Sequence, residues 1–346
     1  MSYKQFAITV LTLVLLAAGG SASFIYYIDP MWTFGHSHEY NDVQYVIDER
    51  QQKVNAMHFQ PFDYDTLLIG SSRTTYINQH DFTGMKVYNF SASNVSIREY
   101  EPFLQYAVEQ NGKSFERVII GLDFFKTSIN QSSGVVNLDS YIAKMEEPFY
   151  RYKNLLSYDL LKYAYDNFKM SKADANILDR SYNRSNVAQA MKIDSETTSQ
   201  QTKEKIKKFR KEFYGETYQY NPEYKAVLQQ LIDKYPQTEF IFYTTPISTP
   251  LFTALVDQGL LPSYEQWITD VTAAAGGMYN FMYPNSITND IGHYFDGHHF
   301  YPEVGTMIAH RIDGTNQGVP ADFGTYVTPE NLADQLEFVR KESEGL

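Results

Sequence analysis

The stretch DTLLIGSSR, residues 65–73, decides how the fold of this chain is interpreted. An apolar run ends abruptly in Gly70, Ser71, Ser72 and Arg73. A short apolar run that stops at a turn signal predicts a buried strand. The segment formed by the two serines and the arginine can be interpreted in two ways. They form an ordinary turn with a helix N-cap, or they present a nucleophile at the end of the strand.

Four further apolar runs have the same character, so the strand is not isolated. They are β-rich and nearly continuous, which is typical of parallel strands that are covered on both faces. Helix start and stop signals lie between them, for example the capping box at residues 96–99 and the Asn-Pro-Glu start at 221–223. The runs are residues 86–91, 117–123, 239–245 and 277–283. The alternation predicts an α/β fold: a three-layer, doubly wound, flavodoxin-like parallel sheet of about five strands.

Between residues 126 and 219 the alternation stops, and the sequence becomes polar, Tyr-rich and helical in pattern. Within it, the basic segment KEKIKKFRKEF, residues 203–213, is either a solvated helix face or a lid that contacts an anionic glycan. The expected organisation is a membrane anchor or signal peptide (1–28), an exported lead-in (29–62), an α/β domain (63–125 and 220–315), a helical insertion (126–219) and a C-terminal tail with a terminal helix (316–346).

The N-terminus predicts a membrane segment. Residues 6–28 carry no charge and would form a helix of ~35 Å, enough to cross a hydrocarbon layer of ~30 Å. Lys4 precedes this stretch and Asp29 follows it, so the positive-inside rule places the N-terminus in the cytoplasm. We expect a single-pass protein of the bacterial inner membrane with its main domain in the periplasm or outside the cell. A signal peptide cleaved near residues 21–23 is the alternative.

Composition excludes several classes of site. The chain has no cysteine, which rules out disulfides, cysteine-bound zinc and a thiol nucleophile. Its net charge is -12, and a strongly acidic chain is a poor binder of nucleic acid. We therefore expect no nucleic-acid partner.

Polar residues collect where the predicted strands end, which is where open α/β sheets place their sites. Ser72 follows the first strand, and Asp296 and His299 follow the fifth strand, three residues apart. A serine nucleophile needs a base, and the base needs a group that fixes its tautomer. The alternatives are a phosphate site on the helix after Ser72 and metal sites. The candidate metal ligands are Asp296, His298, His299 and His293 in one cluster, and His36, His38 and Glu39 in another.

Four segments carry a resemblance to a known family. LLIGSSR, VYNFSASN, VIIGLDF and DGHH resemble, in this order, the four sequence blocks of the SGNH/GDSL hydrolase superfamily. The resemblance covers residues 63–312 apart from the insertion. It is strongest to the membrane-anchored envelope branch, which includes D-alanyl-lipoteichoic-acid and alginate O-acetylation proteins.

The resemblance implies a role for each matching residue. Ser72 would be the nucleophile, His299 the base and Asp296 the residue that orients His299. Ser72, Ser91 and Asn94 would form the oxyanion hole. The resemblance implies no cofactor and no metal.

Asp123 departs from the family pattern, because the superfamily has an asparagine at this position. An ionised carboxylate cannot donate a hydrogen bond to an oxyanion and would repel it. We expect Arg73 and Asp123 to have a substrate-binding or structural role, with an ion pair between them as one outcome.

The expected function is therefore that of a serine esterase or O-acyltransferase that acts on an acylated envelope glycan, with a membrane O-acyltransferase as a candidate partner. The alternative is a non-catalytic glycan-binding or assembly subunit with a degenerate cleft.

Overall fold

The computed structural model describes residues 1–134, 136–175 and 177–345 of the chain. Within this part, the strands are β1 (Gln44–Tyr45), β2 (Thr66–Ile69), β3 (Val87–Asn89), β4 (Arg117–Leu122), β5 (Ser181–Tyr182), β6 (Ala188–Gln189), β7 (Glu239–Thr244), β8 (Met278–Asn280) and β9 (Thr325–Val327). The helices are α1 (Tyr3–Ile28), α2 (Glu49–Phe59), α3 (Tyr100–Asn111), α4 (Ile129–Ser132), α5 (Leu138–Met145), α6 (Tyr150–Asn154), α7 (Tyr158–Ala173), α8 (Ser195–Glu212), α9 (Tyr224–Lys234), α10 (Thr249–Asp257), α11 (Leu261–Ala275), α12 (Pro302–Ile312) and α13 (Leu332–Glu344). Short 3-10 turns lie at Thr74–Tyr76, Ile97–Glu99, Phe124–Thr127 and Ile291–His293.

The chain divides into two compact units, each built from two segments. Unit 1 comprises Met1–Phe62 and Asn137–Met191, and unit 2 comprises Asp63–Val136 and Lys192–Leu346. The expected boundaries differ from this division. The lead-in is not a separate linker, because it folds with α1 and with the middle of the expected insertion.

Unit 2 contains a six-stranded sheet with the order β3-β2-β4-β7-β8-β9. The first five strands in this order pair in parallel, and each falls within one of the five predicted apolar runs. In chain order the parallel strands are arranged 2-1-3-4-5, the order of flavodoxin-like sheets. The prediction of an α/β fold with a largely parallel sheet is confirmed. In such a sheet the order reverses beside β2, and ligands bind at that edge.

A sixth strand was missed from the sequence. β9 lies in the expected C-terminal tail and pairs antiparallel with β8 at the edge of the sheet. A strand of three residues is too short to show a period-2 pattern of apolar and polar side chains. The tail therefore contributes a strand as well as the predicted terminal helix, α13.

The basic segment of the expected insertion belongs to the sheet unit. It forms the last part of α8, a helix capped by the Asp194 side chain, which accepts a hydrogen bond from the Thr197 N–H. Phe209 and Tyr214 are buried in unit 2, and their rings lie 5.2 Å apart. Because these apolar side chains need cover, α8 packs on the α/β unit rather than with residues 137–191.

Unit 1 joins the N-terminal helix to the segment 137–191. The last turn of α1 packs against α7, where Ile25, Ile28, Leu160 and Ala164 form a small apolar core. β1, β5 and β6 form a small antiparallel sheet beside it.

α1 is long and apolar enough to span a membrane by length and composition, and its side chains up to residue 20 are exposed. A signal sequence near an N-terminus has the same properties.

Candidate active site

The turn after β2 presents Ser72 at the carboxyl end of the parallel sheet. Gly70 is required here, because any Cβ at this position would collide with the Thr74 side chain that folds back over the strand end. Arg73 is the capping residue of the following 3-10 turn and makes no side-chain capping hydrogen bond. Thr75 Oγ1 donates to the Ser72 carbonyl at 2.6 Å and tightens the turn. Ser72 is half-buried at this point.

Three side chains expected from the sequence lie together at this edge. Ser72 Oγ is 3.0 Å from His299 Nε2, and His299 Nδ1 is 3.0 Å from Asp296 Oδ2. Ser72 and His299 are half-buried, while Asp296 is buried. With the proton on Nδ1, His299 donates to the carboxylate and accepts from the serine hydroxyl, which is the hydrogen-bond arrangement of a serine nucleophile with its base.

The loop that carries Asp296 and His299 is fixed by its own backbone. Asp296 Oδ1 accepts hydrogen bonds from the N–H groups of His298 at 3.0 Å and His299 at 2.8 Å. Gly297 has a φ of 71°, and a Cβ there would approach Ser248 Oγ to 2.7 Å and Thr202 Cγ2 to 2.8 Å. The left-handed backbone and the close packing both require glycine. The Asp-x-x-His spacing thus encodes a tight turn that directs one carboxylate oxygen at the histidine ring.

A lysine that was not singled out from the sequence completes the surroundings of Asp296. Lys205 Nζ, on α8, lies 2.6 Å from the same Oδ2 that contacts His299. Burial raises the pKa of the Asp296 carboxyl, but the His299 contact and the Lys205 charge outweigh it and hold that pKa well below its ordinary value. Asp296 is therefore ionised at neutral pH.

Next to Ser72 in the chain, Arg73 forms a buried ion pair with Asp123. Arg73 Nη2 donates to Asp123 Oδ1, and both side chains are 1% exposed. Thr245 Oγ1 donates to the same oxygen at 2.6 Å, and Arg73 Nη1 donates to the Thr245 carbonyl at 3.3 Å. The network links the carboxyl ends of β2, β4 and β7. Asp123 is thus engaged by Arg73, one of the two outcomes expected for this residue.

The expectation that the Ser91 N–H lines an oxyanion hole is not met. This N–H donates to Asn89 Oδ1 at 3.0 Å, because the Asn89 side chain folds back over the end of β3. Asn94 is exposed, has a φ of 62°, and its side-chain oxygen accepts a hydrogen bond from Lys126. Ala92 N–H donates to the Gly70 carbonyl at 3.2 Å, which holds the start of this loop beside the nucleophile turn.

Ser71 and His298, which adjoin Ser72 and His299 in the chain, are both buried. Ser71 Oγ has no hydrogen-bond partner among the described residues, so the Ser71 hydroxyl makes no polar contact that would stabilise the turn.

His298 lies against the rings of Phe125 and Phe209, at centroid distances of 5.5 and 4.8 Å. Burial, reinforced by the Arg73 and His299 charges, lowers the pKa of His298 well below its ordinary value, so its ring is neutral.

The alternative metal sites gain no support from the geometry. Across residues 1–134, 136–175 and 177–345, no group of three or more His, Asp or Glu side chains is arranged to hold a metal ion. His38 instead stacks on Tyr27 at 4.1 Å, and its Nε2 contacts the Tyr27 carbonyl at 2.9 Å.

Three residues of the site escaped the sequence analysis: Lys205, Thr245 and Lys126. The basic segment 203–213 was noted, but six of its side chains are basic and no pattern marks Lys205. Helical spacing is the signal that was available, because Thr202, Lys205 and Phe209 recur at i, i+3 and i+7. Thr202 packs at Gly297, Lys205 contacts Asp296, and Phe209 contacts His298.

Comparisons with known proteins leave the family open. No protein-family model matches the chain, and no curated protein matches it. Among solved structures, the chain is similar to one described as a candidate platelet activating factor from Streptococcus pneumonia, with 10% sequence identity and a TM-score of 0.36. The similarity covers 76% of this chain and 90% of that one. A similarity of this size carries no information about function.

Proposed function

We propose that this chain is a membrane-anchored, exported serine esterase or O-acyltransferase of the SGNH type that acts on acyl esters of an envelope glycan. The observation that carries the proposal is the contact series from Ser72 Oγ to His299 Nε2 and from His299 Nδ1 to Asp296 Oδ2, each at 3.0 Å. The series stands at the carboxyl edge of a parallel sheet, beside the strand where the order reverses. α1 would anchor the protein with its N-terminus in the cytoplasm and the chain after α1 outside.

The proposed reaction has two halves. Ser72 Oγ attacks the acyl carbonyl while its proton passes to His299 Nε2, and the resulting imidazolium is stabilised by Asp296. The tetrahedral intermediate collapses, the acyl–oxygen bond breaks, and the departing glycan oxygen takes the proton from His299. Water, or the hydroxyl of a second glycan, then attacks the acyl-serine by the same steps in reverse. The chemistry requires no cofactor.

The oxyanion would be held by backbone N–H groups. Ser72 and Asn94 are the proposed donors, with the Ser72 N–H placed by the sharp turn after β2. Ser91 is left out, because its N–H is directed at Asn89. Lys126 fixes the Asn94 side chain through its oxygen.

The second candidate function is a non-catalytic glycan-binding or assembly subunit that works with a membrane O-acyltransferase. The observation that favours it is Asp123, a buried carboxylate where the superfamily places an oxyanion donor, paired with Arg73. Losing one such donor costs about 10²–10³ in rate.

Labelling with a fluorophosphonate probe separates the two candidates, because the probe reacts only with an activated serine. The full chain in detergent should be labelled and should hydrolyse a simple acetyl ester. The Ser72→Ala variant should do neither, while Ser71→Ala should do both. An unlabelled, well-folded wild-type protein would exclude the enzyme and favour the binding subunit.

A further inference from the structure

We propose that Lys205 is a positioning residue of the Ser72–His299–Asp296 site, which sets the pH range of the reaction by competing with His299 for Asp296. The inference deepens the proposed function and rests on it. It assigns a role to α8, a helix that the sequence places in a segment with no catalytic motif.

The geometry is a carboxylate oxygen shared by two nitrogens. Asp296 Oδ2 is 2.6 Å from Lys205 Nζ and 3.0 Å from His299 Nδ1. By the triangle inequality, the two nitrogens are at most about 5.6 Å apart. The Lys205 side chain is 23% exposed and that of Asp296 is 12% exposed, so solvent screens this group of charges only in part.

The charge count explains the effect on the reaction. When His299 takes up a proton from solvent, Lys205 and His299 carry two positive charges against the one negative charge of Asp296. Without Lys205, the imidazolium and the carboxylate would balance. The lysine therefore makes protonation of His299 less favourable and keeps the base available at lower pH. It also keeps Asp296 ionised when His299 is neutral.

α8 holds this lysine in place through the turns on either side. Thr202 packs at Gly297, one turn before Lys205, and the Phe209 ring lies 4.8 Å from that of His298, one turn after it. One face of the helix thus contacts Asp296, Gly297 and His298. A surface lysine of a solvated helix would have no such fixed partner.

Other charged or titratable groups lie on the elements around the site. The His298 ring lies 4.7 Å from that of His299 and within range of the Arg73 charge, which Asp123 balances. The 3-10 turn that packs on α8 contributes His293 and its capping residue Asp290, and α10 contributes Asp257, which binds Arg210. On α8 itself, Lys208 pairs with Glu212, and Glu204 accepts from Gln200.

The first readout is the titration of His299, which requires no catalysis. In the full chain, with ¹⁵N-labelled histidines and the signal assigned by His299→Gln, Lys205→Met should move the midpoint to higher pH by about 0.5 to 2 units. That is the range for a unit charge about 5.6 Å away at effective dielectric constants between 80 and 20. Lys205→Gln serves if the methionine variant fails to fold, and Lys205→Arg should leave the midpoint near that of wild type.

The second readout is the pH profile of kcat/KM. Its acidic limb should move in the same direction in Lys205→Met and stay in place in Lys208→Met, which removes an equal charge one turn away on the exposed face. If the His299 midpoint does not move, or moves as far in Lys208→Met, the inference is wrong whatever the activity. If the midpoint moves in a protein that has no esterase activity, the proposed function fails, and only the charge coupling between Lys205 and His299 stands.

Discussion

Ser72 Oγ and His299 Nε2 lie 3.0 Å apart, although 227 positions separate them in the chain. The two side chains meet because β2 lies inside the parallel sheet, between β3 and β4, and the loop before α12 returns to the same edge. Neither residue is held by its own helix or strand. Each stands on a tight turn whose close contacts require a glycine, Gly70 for the serine and Gly297 for the histidine loop.

Ser72→Ala should abolish ester turnover and covalent labelling, with a loss of about four to six orders of magnitude, and His299→Ala should match it. The losses should not add in the double variant, because residues that act as a unit fail together. The measurements are initial rates on an acetyl ester and labelling by a fluorophosphonate.

Ser71→Ala is the matched control for that pair. The Ser71 hydroxyl is buried and has no hydrogen-bond partner among the described residues, so its removal breaks no hydrogen bond and should lower the free energy of unfolding by no more than about 0.5 kcal/mol. Most activity should remain. If Ser71→Ala were inactive and Ser72→Ala active, the assignment of the nucleophile would be wrong.

Asp123→Asn should destabilise the protein by about 3–5 kcal/mol, because it leaves the Arg73 guanidinium buried without a counter-charge. The change replaces the carboxylate with an amide but should not raise the rate. Thermal or urea unfolding of the detergent-solubilised chain measures the effect. Asp63→Asn, which breaks exposed ion pairs to Lys86 and Lys113, should leave the unfolding midpoint nearly unchanged.

The stability of the protein should fall as the pH drops below about 6.5, and His298 should account for part of that fall. Its pKa is lowered in the folded protein, chiefly by burial, whereas the unfolded chain takes up a proton near pH 6.5. Below that pH the unfolded state binds more protons than the folded state, so acid favours unfolding. Thermal midpoints between pH 7.5 and 5 should decline less steeply in His298→Leu. A variant of the exposed His80, His80→Gln, should keep the wild-type slope.

A reporter enzyme that is active only in the periplasm, fused to the C-terminus, should be active. The physical reason is the uncharged stretch of α1 with Lys4 before it and Asp29 after it. The fused protein should stay in the membrane fraction after an alkaline wash. A soluble mature protein that begins near residue 24 would show a cleaved signal peptide, and a stable but silent fusion would overturn the orientation.

The sequence by itself determined the five parallel strands, the apolar N-terminal helix and the chemistry-bearing ends of β2 and of the loop before α12. These features are encoded locally: apolar runs, caps and tight turns leave a signal within ten residues. β9 has no such local signal in the sequence, because the conformation of three residues at a sheet edge depends on the strand with which they pair.

Only the tertiary structure decided which polar groups pair. It turned the Ser91 N–H toward Asn89, set Arg73 against Asp123 and brought Lys205 from α8 onto Asp296. It also divided the expected insertion, leaving α8 with the sheet and residues 137–191 with α1. Charge pairing depends on distances of a few ångströms between distant parts of the chain, and such distances exist only once the sheet has folded.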